Sequence, residues 1–195
     1  MKMNSISVFC ASSSGFDESW MREARHVGEY LATKNITLVY GGGRVGLMGA
    51  VADGALAKQG KVIGVIPNFL NSKEIAHSGV TELICVETMH ERKTIMDEMS
   101  EGIIALPGGF GTMEELFEMI TWAQLGLHQK PVGILNTNGL YDHLITFIDH
   151  LVQVGLLKKE NQEMLLVDNT IEALILKMES YIPANVPKWL TQDQT

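Results

Sequence analysis

The sequence predicts an α/β fold of the Rossmann-like kind: a doubly wound parallel sheet built as a single domain over residues 1–195. Two observations carry this. Short apolar, β-rich runs alternate along the chain with longer segments of helical periodicity. Several of the runs are apolar at nearly every position, as expected for parallel strands covered on both faces. Strand, helix, strand, helix is the signature of right-handed crossovers in one sheet.

In order, strands are predicted at residues 6–11, 36–40, 62–66, 83–86, 103–106, 132–135 and 164–167. Helices are predicted at 18–34, 47–59, 91–101, 112–125, 141–154 and 171–180. The longest stretch without periodicity is 67–81, a polar segment with Pro67, Asn68, Asn71, Ser72 and Gly79. In a tight α/β chain a loop of that length suggests function. Residues 183–195 are polar, carry Pro183 and Pro187, and are expected to pack loosely. No repeat, low-complexity segment or linker interrupts the pattern.

Composition excludes several classes. With 46% hydrophobic and 19% charged residues, the chain reads as folded rather than disordered. A net charge of −8 and no Lys/Arg run argue against nucleic acid and anionic membranes as partners. They leave room for a local basic pocket that takes a small phosphate. Cys10 and Cys85 both sit in apolar runs, without CxxC spacing, and read as reduced core thiols. The apolar run after Lys2 is too short for a signal region and no stretch approaches a membrane span, so the cytoplasm is expected. Neither a metal nor a cofactor is expected.

Open α/β sheets bind ligands beyond the carboxyl ends of their strands. Two such ends are glycine-rich: Gly41-Gly42-Gly43-Arg44-Val45-Gly46-Leu47-Met48-Gly49 and Pro107-Gly108-Gly109-Phe110-Gly111-Thr112. A helix start leaves N–H groups unpaired and carries about half a positive charge. Glycines before it let backbone approach an anion closely. Thr112 either caps the helix or offers its hydroxyl to the ligand. The first turn is no clean dinucleotide fingerprint, and neither ends as a P-loop does. Tight turns and close packing alone are the competing explanation for each, and two such turns on one side of one sheet favour the ligand reading.

The helix after the second turn carries Glu114, Glu115 and Glu118. At 3.6 residues per turn, Met113, Leu116, Phe117 and Ile120 share an apolar face, and Glu114, Glu118 and Thr121 a polar one. Glu115 falls at the border, where partial desolvation suits a reactive carboxylate. Glu114 and Glu118 read as solvated or capping charges, though helix geometry alone does not choose among the three. Met89-His90-Glu91-Arg92-Lys93 opens the helix after residues 83–86 and faces the same crevice. Its cations could meet an anionic ligand or simply decorate a helix surface; His90 reads as a cap or pocket wall.

These residues together resemble the LONELY GUY family. Pro107-Gly108-Gly109-Phe110-Gly111-Thr112-Met113-Glu114-Glu115 matches its PGGxGTxxE motif. Cys10-Ala11-Ser12-Ser13, the first glycine turn, Met89 to Lys93, and Ile120-Thr121-Trp122-Ala123-Gln124-Leu125-Gly126 support the match, over about residues 6–144. The resemblance implies hydrolysis of the N-glycosidic bond of a nucleoside 5′-monophosphate, a cytokinin riboside monophosphate or AMP, to free base and ribose 5-phosphate. It implies Arg92 and Glu115 as the catalytic pair. Gly109 to Thr112 would bind the phosphate, with Gly108, Met113 and Glu114 as neighbouring substrate contacts. Glu74, Lys93 and Thr121 would be further substrate contacts, and the protein a homodimer.

Glu115 would stabilise the ribosyl cation or activate water, as carboxylates do in glycoside hydrolysis. Arg92 would orient substrate and offset charge on the leaving base; it holds its proton too firmly to be a general acid. The competing reading is a nucleotide carrier or sensor without hydrolysis, since fold alone implies no function. Lysine decarboxylation, an older label in the family, needs pyridoxal phosphate on a lysine; Lys93 is the nearest candidate, in cationic surroundings. The purified protein is therefore expected to show no Schiff-base absorbance band on a spectral scan; a yellow protein would restore that reading.

Overall fold

The computed structural model describes residues 2–71 and 76–183. In chain order its elements are β1 (Ser5–Phe9), α1 (Glu18–Thr33), β2 (Thr37–Tyr40), α2 (Gly46–Ala57), β3 (Val62–Pro67) and α3 (Asn68–Asn71). They continue with β4 (Glu82–Val86), α4 (Met89–Glu98), β5 (Gly102–Ala105), α5 (Phe110–Gln124) and β6 (Val132–Leu135). A 3-10 turn (Thr137–Gly139) precedes α6 (Asp142–Gln153), α7 (Lys159–Gln162), β7 (Leu165–Asp168) and α8 (Ile171–Ser180).

The strands form one seven-stranded sheet in the order β4-β3-β2-β1-β5-β6-β7, with parallel pairing throughout. Apolar side chains cover both faces. Residues from α1, α2 and α8 pack on one, around Val27, Leu31, Val51 and Leu174. Residues from α4, α5 and α6 pack on the other, around Met96, Leu116 and Met119, with Leu144 and Ile145 of α6 against them. This is the doubly wound α/β architecture that the alternating pattern predicts.

The chain winds outward from β1 to β4 on one side and then resumes at β5 on the other. The connection from β4 to β5 must therefore pass β3, β2 and β1, and α4 makes that crossing. Two ties hold α4 toward its C-terminal end. Buried Ser7 on β1 donates its hydroxyl to Met96 C=O at 2.9 Å. Lys130, in the loop before β6, reaches the Asp97 carboxylate at 2.7 Å.

Several expectations need correction. The first strand ends at Phe9, so Cys10 and Ala11 belong to the turn beyond it. Cys85 is exposed, because β4 is an edge strand without a neighbour on one side. In the 67–81 segment, Pro67 still pairs in β3 and α3 follows directly. The buried stripe of α5 is Thr112, Glu115, Leu116, Met119 and Ala123, while Phe117 is exposed. Residues 184–195, which include Pro187, lie outside the described residues.

α1 and α2 approach each other backbone to backbone. A Cβ on Gly28 would lie 2.0 Å from Val51 C=O oxygen, and one on Gly54 would lie 2.1 Å from that of Arg25. Neither carbonyl can swing aside without moving its helix. Gly28→Ala is expected to destabilise the protein by about 1–3 kcal/mol, read from urea denaturation midpoints.

Candidate active site

The sheet reverses direction between β1 and β5, the position where open α/β sheets bind ligands. A cleft of about 390 Å³ opens there at the carboxyl ends of the strands, within the usual range for a small-molecule site. The turn after β1 contributes Cys10 to Ser13, the first glycine turn Gly41 and Gly43, and the second Gly109 to Thr112. Met48, Ile66, Leu70 and Met89 form an apolar wall. Arg92, Glu114 and Glu115 supply the charge.

Backbone bonds tie the three strand-end turns together. Ala11 N–H donates to Pro107 C=O at 3.0 Å, and Ala11 C=O accepts from Met48 N–H at 3.3 Å. α5 then begins with Gly109 as its N-cap and no side-chain cap. Its first intrahelical bond runs from Met113 N–H to Gly109 C=O. The N–H groups of Phe110, Gly111 and Thr112 are thus left without helical acceptors at the positive end of a 15-residue helix. A Cβ at Gly109 or Gly111 would meet nothing within 4 Å. Internal packing does not require glycine at either position; its absence of side chain keeps backbone bare toward the cleft. Gly108 differs, since a Cβ there would strike Thr112 Oγ1 at 2.0 Å. Thr112 is not the cap that sequence allowed: it lies inside the first turn, buried, folded back over Gly108.

α4 brings the cations. Thr88 caps it, accepting from Glu91 N–H at 3.1 Å, while Glu91 Oε2 accepts from Glu87 N–H at 2.9 Å. This reciprocal capping gives Glu91 a structural role. His90 is exposed and outside the cleft, neither cap nor wall. Arg92 Nη2 meets Glu115 Oε1 at 3.3 Å, each side chain only 9% exposed. The guanidinium fits because position 41 is glycine: a Cβ there would lie 2.0 Å from Arg92 Nη2. Periodicity gave no hint of this use of the first glycine turn; the signal lay in its unbroken triple glycine.

Burial pushes the Glu115 carboxyl above its ordinary range; Arg92 opposes this, and Glu114 and Glu118 add to it. Burial, with Glu115 nearby, likewise pushes the Cys10 thiol up, so Cys10 is a neutral wall rather than a nucleophile. Arg92 Nε is buried without a hydrogen-bond partner. Lys93 turns away from the cleft to Glu114 at 2.5 Å and Glu118 at 2.7 Å. Burial alone would lower its pKa, but the two carboxylates outweigh that and raise it. Glu114 and Glu118 are therefore not merely solvated charges: they clamp α5 to α4 through one lysine.

The structure thus gathers Arg92, Glu114, Glu115, Gly109, Phe110, Gly111 and Thr112 at one cleft. Gly108 and Met113 support the turn from behind. Lys93 and Thr121 lie outside the cleft; the exposed Thr121 hydroxyl donates to Phe117 C=O at 2.7 Å. Glu74 lies outside the described residues. Gly111→Ala is expected to stabilise the fold by about 0.5–1 kcal/mol, as glycine-to-alanine does within a helix. It should at the same time weaken binding of a phosphorylated ligand; thermal melting and calorimetry would read the two effects separately.

The comparisons with known proteins agree with this geometry. The family model described as "Possible lysine decarboxylase" matches residues 48–178. Cytokinin riboside 5′-monophosphate phosphoribohydrolase LOG5 of Arabidopsis thaliana is 46% identical over 180 residues, covering 92% of this chain and 79% of that protein. The enzyme LOG of Oryza sativa subsp. japonica is 44% identical over 178 residues, covering 91% of this chain and 74% of that one. Among solved structures, the molybdenum cofactor binding protein of Rippkaea orientalis superposes with a TM-score of 0.69. It is 21% identical and covers 92% of this chain and 98% of its own, a likeness of fold alone. With its glycine-rich helix start, its Arg92–Glu115 pair and relatives at this level of identity, the chain belongs to the LONELY GUY family.

Proposed function

We propose that this protein hydrolyses the N-glycosidic bond of nucleoside 5′-monophosphates, of the cytokinin riboside or adenosine type, releasing the base and ribose 5-phosphate. The observation that carries this is the buried Arg92–Glu115 pair, set one helical turn beyond a bare, uncapped helix N-terminus. A phosphate on the N–H groups of Phe110 to Thr112 places the sugar over Glu115, which lies about 4.5 Å further along the helix axis at 1.5 Å per residue.

In the reaction, the bond from the sugar's anomeric carbon to the base nitrogen breaks and water adds to that carbon. One water proton ends on the departing base. Positive charge grows on the sugar as the bond lengthens, and the Glu115 carboxylate faces it. With its pKa raised by burial, Glu115 is also a better proton acceptor for water than an exposed glutamate. Arg92 keeps its proton, holds Glu115 in place and offsets negative charge on the leaving base. Phosphate binding at the turn supplies the energy that orients the sugar for attack.

Of the further contacts the family pattern assigns, Lys93 acts indirectly, holding Glu114 and Glu118 and through them α5. Glu74 is kept as a proposed substrate contact; Thr121, outside the cleft and bonded to Phe117 C=O, has no such role from within one chain. A homodimer is supported by apolar side chains left in solvent on α5 and α6: Phe110 at 97%, Phe117 at 42% and Phe147 at 56% exposed. Among the described residues no helix is long and apolar enough to cross a membrane. We read the cytoplasm as its compartment, with Cys10 buried in the core and Cys85 on the outer strand β4.

Incubation with AMP and with isopentenyladenine riboside monophosphate, followed by chromatography, should show free base from the nucleotides and none from the unphosphorylated ribosides. Glu115→Gln should bind AMP at near wild-type affinity and lose at least about a hundredfold in kcat. The acid limb of the wild-type kcat/KM profile should lie above the ordinary glutamate value of 4.5. Tight AMP binding with no base release would establish the carrier reading instead.

A further inference from the structure

The phosphate-facing side of the second glycine turn is bare, so whatever fixes its shape must act from behind. Gly109 and Gly111 have nothing within 4 Å of a would-be Cβ. On the buried side, Ala11 N–H holds Pro107 C=O at 3.0 Å and Thr112 packs on Gly108. A further tie comes from an element remote in sequence. Tyr141, at the N-cap of α6 and 4% exposed, donates its hydroxyl to Leu106 C=O at 2.6 Å.

We infer that Tyr141 is a positioning residue for the phosphate turn: its hydroxyl, and not merely its ring, sets the backbone on which the 5′-phosphate is held. This rests on the reading of that turn as the phosphate site. The ring belongs to the core beneath α4 and α5, among Phe9, Val39, Ala105 and Leu116. Phenylalanine would fill that space without a polar atom to satisfy. The hydroxyl instead holds Leu106 C=O, just past the end of β5 at Ala105 and immediately before Pro107 opens the turn.

Tyr141 is itself held. Asn136 Oδ1 accepts from Tyr141 N–H at 2.8 Å, and Asn136 Nδ2 donates to Asp142 Oδ1 at 2.7 Å. Asn136 N–H donates to Asp168 C=O, at the end of β7, at 2.7 Å. A continuous set of hydrogen bonds thus runs from the β6–β7 edge of the sheet to the back of the turn. Removing the hydroxyl leaves the Leu106 carbonyl short of a partner under the anion site. The turn then relaxes, and the N–H groups at the start of α5 lose their common focus.

The test compares wild type with Tyr141→Phe. Calorimetry gives the Kd for ribose 5-phosphate, and steady-state kinetics give KM, kcat and the pH profile for AMP. The variant is expected to raise Kd and KM together by about tenfold, the size of one lost hydrogen bond at such a site. Its kcat should stay within about twofold of wild type and its acid limb should not move, since Glu115 is untouched. An unchanged Kd, with or without a lower melting temperature, would overturn the inference and leave Tyr141 a core residue. A fall in kcat at unchanged Kd would overturn it too, placing the effect on the chemistry. A wild type that binds ribose 5-phosphate but leaves AMP intact would defeat the proposed hydrolysis, while the Kd comparison would still decide Tyr141. A wild type that binds no ribose 5-phosphate would overturn both.

Discussion

Arg92 and Glu115 form an ion pair almost wholly withdrawn from water, and the rest of the site is arranged around it. Burying two opposite charges costs several kcal/mol per ion before their attraction is counted. Well-packed apolar residues would hold α4 and α5 together at least as well. The pair is also incompletely satisfied: Arg92 Nε has no partner, and burial leaves Glu115 less acidic than a solvated glutamate. A purely structural bridge would close those gaps. Left open, they fit the proposed roles of Glu115 as a reactive carboxylate and Arg92 as a guanidinium with a second contact to make.

That pair persists because its surroundings over-determine it. Thr88 and Glu91 fix where α4 starts, and Ser7 and Lys130 fix its far end. Gly41 clears the space for the guanidinium. Lys93 draws Glu114 and Glu118 to itself, so that three carboxylates on one helix face two cations on the other. Without Lys93 the like charges of Glu114 and Glu118 would act on Glu115 unopposed except by Arg92. The anion-facing turn follows the opposite rule, bare in front and held from behind. Donors fixed before the ligand arrives need no reorganisation when it binds.

Much of this was legible from sequence, for physical reasons that also mark where legibility stops. Strands covered on both faces are apolar throughout, so seven runs announced seven strands. Helix starts were harder: periodicity alone began α4 at residue 91, while the Met89 to Lys93 motif and the cap at Thr88 put its beginning at Met89. On α5 two apolar stripes compete, Met113–Phe117–Ile120 and Leu116–Met119–Ala123. The buried stripe includes Thr112 and Glu115, polar residues that a hydrophobic pattern counts against burial. A helix that buries a carboxylate against an arginine misleads such a pattern, because it puts polar atoms where the core would put carbon. Cys85 misled it differently, as an apolar residue on an edge strand.

Sequence by itself determined the order of the seven strands and the six longer helices, the parallel sheet, the glycine-rich helix start and the family motif; the short α3 and α7 it did not show. Each is local, written in periodicity or in a run of a few residues. Only the tertiary structure decided which charges meet. The strand order sends the chain from β4 at one edge across three strands to β5, and that crossing delivers Arg92 to both Gly41 and Glu115. It also turned Lys93 away from the cleft and brought Tyr141 beneath the turn at Leu106. Pairings of this kind depend on how the sheet is wound, which local periodicity does not record.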